Sequence, residues 1–177
     1  MSDWLLISYH VPTNPSALRV ATWRALKQRG AVTLGDGLYA LPATPGHREA
    51  LLQIADRIAD GGGTAISLNA SALTAADERA LQHRFEAARR DEYLQVQKSA
   101  RKLVDHIGRE EQSHDYRFAE VESLEEELNK VRRQFERVVE RDSGDPPVRE
   151  EARAAVTAAE ERLQLYLDNA YREENRE

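Results

Sequence analysis

Three groups of residues in this chain carry side chains whose types and spacing could do chemistry. The first is Tyr9-His10, which closes the apolar run "WLLI" and leads directly into Val11-Pro12. Metal-dependent phosphodiesterase chemistry needs carboxylates, because a divalent ion must be held against the phosphate by oxygen ligands. Neutral imidazole binds magnesium poorly, and the next Asp or Glu along the chain is Asp36. As a general base His10 lacks a matching Ser, Cys or Lys, so it reads as structural and no catalytic residue is assigned. The second group is Asp105, His106, His114 and Asp115, whose spacing matches no familiar metal motif and reads as a solvated helix end. Neither a metal nor a cofactor is expected.

The third group is basic. Arg84, Lys98, Lys102 and Arg109 project along one side of a helical segment, opposite its apolar face, with Arg101 farther round. Arg19, Arg24, Lys27 and Arg29 form a smaller cluster near the amino terminus. Stripes of this kind suit a phosphate backbone. Asp91 and Asp105 interrupt the longer one, and pairing of Lys102, Asp105 and Arg109 within the helix is the bland alternative. No helix-turn-helix, zinc-finger or aromatic RNA-binding pattern is present, so base-specific readout is not legible.

These groups must be positioned by a chain of 177 residues with 32% charged and 6% aromatic residues, a mixture that favours long solvated helices over a large core. The absence of cysteine excludes disulfides, thiolate metal sites and cysteine nucleophiles. No apolar run approaches the length of a bilayer span and no signal pattern opens the chain, so a cytoplasmic location and no membrane partner are expected. Charge is uneven: residues 1–109 hold 14 Lys/Arg against 11 Asp/Glu, and 110–177 hold 11 against 20. A polyanion would approach the first part and be repelled by the second.

Trp4 to Val11 reads as a strand stopped by Pro12. Asn14 before Pro15 reads as a helix start, with Gly30 as the stop. The apolar residues of this helix, Leu18, Val20, Ala21, Trp23 and Leu26, do not share one narrow face, which predicts cover on two sides. Ala31–Leu34 and Leu38–Leu41 make a hairpin about Gly35, Asp36 and Gly37. Thr44-Pro45 starts a second helix that ends at Gly61 to Gly63, and Thr64 to Asn69 is a last strand with Ile66 and Leu68 on one face. The order βαββαβ predicts a ferredoxin-like unit over 1–70.

From residue 71 to 177 the pattern is helical. A capping box at Thr74 and Asp77 opens a helix to about Ile107, with Leu81, Phe85, Val96, Ala100, Leu103 and Ile107 on a broad face. Gly108 to Tyr116 reads as a polar connection. Val121, Leu124, Leu128, Val131, Phe135 and Val138 form a heptad seam. After a turn at "RDSGDPP", with Asp145 as cap, Ala152, Ala155, Ala159, Leu163, Tyr166 and Ala170 fold back antiparallel within the chain. The fold class expected is therefore α+β, a ferredoxin-like domain followed by an all-α domain with a helical hairpin, helix outweighing strand by about three to one.

The stretches "WLLISYHVP", "RVATWRALKQRGAV", "DGLYALPAT", "RDEYL", "FAEVE" and "RDSGDPP" together resemble, in order and over essentially the whole chain, the N-terminal domain of the chromate-resistance regulator family ChrB. The first 70 residues are also similar to the ferredoxin-like unit of Cas2 nucleases and of PaaX-type repressors. The resemblance implies a non-enzymatic module of chromate-responsive transcription regulation. Promoter DNA, a second copy of the chain or another regulatory domain are the partners it implies. Two alternatives remain: a protein-interaction or dimerisation module without DNA binding, and a Cas2-like nuclease or other hydrolase.

Overall fold

The computed structural model describes residues 3–13, 16–113, 116–142 and 146–174. Its elements run β1 (Asp3–His10), α1 (Ala17–Gln28), β2 (Val32–Gly35), β3 (Leu38–Pro42), α2 (Pro45–Asp60), β4 (Thr64–Ser71), α3 (Ala75–Ser113), α4 (Phe118–Arg141) and α5 (Pro147–Glu174). Two compact units divide the chain, Met1–Glu86 and Ala87–Glu177.

In the first unit the sheet order is β2-β3-β1-β4 with antiparallel neighbours, the ferredoxin-like arrangement. Alternation along β1 sends Leu5 and Ile7 to the face where Leu26 of α1 and Leu51, Ile54 and Ile58 of α2 are buried with them. Local chemistry sets the helix ends. The Thr44 hydroxyl accepts from the His47 amide at 3.1 Å, with Pro45 in the first turn. At the far end of α2 the Gly62 and Gly63 amides donate to the carbonyls of Ala59 and Ile58, and Gly62 supplies the left-handed residue (φ 79°) that this motif requires. The start of α1 expected at Asn14 and Pro15 lies outside the described residues.

The other face of the sheet explains where the first unit ends. Trp4 points there, stacks on Phe85 at 5.0 Å between centroids, and donates from Nε1 to Glu78 at 3.1 Å. Both partners belong to the first three turns of α3, whose capping box holds as Asp77 N to Thr74 Oγ1 at 3.1 Å. The sequence reading drew the division at 70/71, where strand signals stop. The compact units part instead at 86/87, because these turns lie on the sheet.

In the second unit α3, α4 and α5 share one core. Tyr93, Val96, Ala100, Leu103 and Ile107 meet Leu124, Leu128, Val131 and Val138, together with Ala152, Val156, Ala159, Leu163 and Tyr166. The heptad seam is thus satisfied inside the chain, and small alanines leave room for larger partners. At one end Arg89 is buried against Glu92 at 3.1 Å, Arg141 reaches the same carboxylate at 2.9 Å, and the Tyr93 hydroxyl donates to Asp142 at 2.8 Å. Burial pulls the Arg89 guanidinium below its ordinary range, with Glu92 opposing the shift.

Two expectations are corrected. Helix α3 does not stop near Ile107 but continues through Gly108 to Ser113, where Glu111 pairs with Arg162 and His106 faces Glu110. These side-chain contacts offset the roughly 1 kcal/mol cost of a glycine inside a helix. Nor is α1 covered on two sides, since Val20 and Trp23 are exposed. The cap expected at Asp145 falls outside the described residues, and α5 opens on Pro147. No strand follows Ser71 among the described residues.

Candidate nucleic-acid interface

The cations of α3 separate by their surroundings. Lys98, Lys102 and Arg109 are exposed, and none forms an ion pair with a described residue. The pairing of Lys102 and Arg109 with Asp105 that the spacing allowed is therefore not made. Arg101 is exposed but donates to Gln97 Oε1 at 3.3 Å, and Gln97 in turn donates to Glu151. Arg84 lies in the first unit and donates to the Thr33 carbonyl at 3.3 Å, which fixes it to β2. Of the five α3 cations singled out from the sequence, three keep all their donors toward solvent.

Arg19, Arg24 and Lys27 of α1 and its C-cap Arg29 are all exposed, again without an ion pair to a described residue. Helical spacing places Arg19 and Lys27 four residues to either side of Trp23, which is 48% exposed. An indole left open between two cations has the chemistry to stack on a planar ring beside an anionic group. Trp23 was not singled out in the sequence, although its i−4 and i+4 cations were the available signal.

His10 ends β1 exposed, opposite Thr64, with no carboxylate paired to it across the sheet. Of the four residues read as a solvated helix end, His114 and Asp115 lie outside the described residues. No helix is long and apolar enough to cross a membrane among the described residues.

A ferredoxin-like sheet continued by a three-helix bundle, with solvent-facing cations on both parts, defines an α+β protein in which each unit has its own core. A family profile described as "Protein ChrB, N-terminal" matches residues 19–177. The chain belongs to that family. It is 36% identical over 92 residues to Protein ChrB of Cupriavidus metallidurans, a match covering 52% of this chain and 28% of that relative's length.

Proposed function

We propose that this chain is a non-enzymatic module of chromate-responsive transcription regulation that holds DNA through its phosphate backbone. Membership of the ChrB N-terminal family supports the regulatory class. The observation that carries the backbone contact is the set Lys98, Lys102 and Arg109, exposed on one helix with no described carboxylate to neutralise them. Promoter DNA is the polyanion proposed, with Arg19, Trp23, Arg24 and Lys27 of α1 as a second contact. Each neutralised phosphate releases counterions and contributes a slope of about 0.9 in log affinity against log salt. Three contacts then weaken binding by about 40-fold between 50 and 200 mM salt.

The test is a titration of the whole chain with DNA from its own promoter at both salt concentrations. The double variant Lys98→Glu/Lys102→Glu is expected to fold normally, since surface changes cost little, and to lower the salt slope by about two. Absence of binding at 50 mM salt would end the DNA reading. A second reading, an interaction or dimerisation module, draws on Ile66 and Leu68, which are 63% and 54% exposed on the sheet. It is upheld by concentration-dependent self-association that Ile66→Lys abolishes.

A further inference from the structure

The histidine that the sequence left as part of a solvated helix end has acquired a different set of neighbours. His106 and Glu110 stand four residues apart on α3, and α4 brings Glu120 and Glu127 to the same place. His106, Glu110 and Glu120 each offer one ligand atom, and these atoms lie within 4.8 Å of one another. All three side chains are part-buried, with 20 to 28% exposure.

The imidazole is approached by a carboxylate on each nitrogen. Glu127 lies 3.2 Å from Nδ1, and Glu110 Oε1 lies 3.5 Å from Nε2. A carboxylate can only accept, so the shorter contact places a proton on Nδ1 and, in the neutral ring, leaves a lone pair on Nε2 aimed at another acceptor. Either a second ring proton or a bound cation on that side satisfies both groups. The 3.5 Å separation is long for a charge-assisted hydrogen bond, which closes to about 2.7–2.9 Å. It is the separation of ordinary ion pairs such as Lys130–Glu126, and it also fits the edge of a tetrahedral ion whose Zn–N and Zn–O bonds are each about 2.0–2.1 Å. Glu127 on the far nitrogen is the carboxylate that fixes tautomer and ring orientation in carboxylate–histidine–metal arrangements. Facing helices of a bundle are also where such ligand sets are built, with Glu and His projecting inward. Three carboxylates surround this one histidine. Arg117 pairs with Glu120 at 3.5 Å from the solvent side and is itself 72% exposed.

We propose that His106, Glu110 and Glu120 form a binding site for a first-row divalent transition ion, with Zn2+ the tightest of those the cell supplies in abundance and Glu127 as the positioning residue. One nitrogen and two carboxylates leave a fourth position for water. The imidazole selects against Mg2+ and Ca2+, which take oxygen ligands. Glu120 closes the set by a change of side-chain rotamer. The bound ion ties the end of α3 to the start of α4 and so adds to the stability of the second unit by mass action.

The experiment uses the full chain, stripped with a chelator and titrated with ZnCl2 by calorimetry, with Co2+ as the spectroscopic probe. One equivalent of Zn2+ is expected to bind, to raise the melting temperature, and, when replaced by Co2+, to give the visible absorption of a low-coordinate ion. His106→Gln and Glu120→Gln should each weaken binding at least about tenfold, and Glu127→Gln by about 10- to 100-fold. Circular dichroism checks that each variant is folded. If His106→Gln is not, Glu120→Gln decides, because its side chain reaches the site from the first turn of α4. Absence of saturable binding overturns the proposal. So does one-equivalent binding unchanged in both ligand variants, which would place the ion elsewhere. A His106 ring that carries both protons and whose NMR signals Zn2+ leaves unmoved would show a plain ion pair, and overturns it too.

Discussion

At the scale of single residues, two tyrosines carry a pH dependence. Tyr9 stacks on Tyr39 at 5.9 Å, and burial together with that neighbour pushes its phenol up to about 12. Burial, reinforced by Asp142, pushes the Tyr93 phenol well up as well. In the unfolded chain both titrate near about 10. A pKa raised by folding favours the neutral form in the native state, so this contribution is whole below about pH 10 and is lost as pH rises through the folded values. Urea midpoints should therefore hold steady from pH 8 to about 9.5 and fall from there to 12. Tyr9→Phe with Tyr93→Phe should flatten that fall, and an unchanged fall would assign it to other groups. The solvent-facing cations were legible in the sequence because charge on a helix face opposite an apolar stripe has few ways to be buried. Neither the open position of Trp23 nor the fastening of Arg84 to Thr33 was legible, since both depend on residues far along the chain.

Among the elements, α3 is the most informative. Thr74 marks its start in the sequence because a capping box is local chemistry, and Gly108 suggested its end because glycine is a poor helix former. The helix passes through Gly108 with open space about that residue, and a methyl group there would meet no atom within 4 Å. Gly108→Ala should consequently raise stability by about 0.5–1 kcal/mol, through both helix propensity and the unfolded state. Chemical denaturation monitored by far-ultraviolet circular dichroism measures it, and a destabilised variant would show that the glycine is needed for close packing. The hairpin of α4 and α5 was readable throughout, since a heptad pattern and a proline-bearing turn state both the seam and its reversal.

For the whole molecule, each unit has its own core, and the first depends on residues that follow its last strand. A fragment of residues 1–86 keeps Phe85 and Glu78 over Trp4, whereas one of residues 1–70 loses both and cuts β4 before Ser71. The longer fragment is expected to unfold cooperatively, with a blue-shifted tryptophan component from Trp4. The shorter one should be less stable by several kcal/mol, given the apolar area uncovered and the lost Trp4–Glu78 hydrogen bond. Equal denaturation midpoints for the two fragments would refute this division.

Order of elements, sheet type and helical hairpin were determined by the sequence alone, because alternation, heptad spacing, caps and glycine stops act over a few residues. Tertiary structure decided which residues of α3 serve the sheet, which cations remain unpaired, and which acids meet His106. The sequence offered His114 and Asp115 as neighbours of His106, being close along the chain, while folding delivers Glu120 and Glu127 from another helix. Partners at that distance are chosen by how helices pack against one another, and a one-dimensional pattern holds that information only in the summed shapes of two cores.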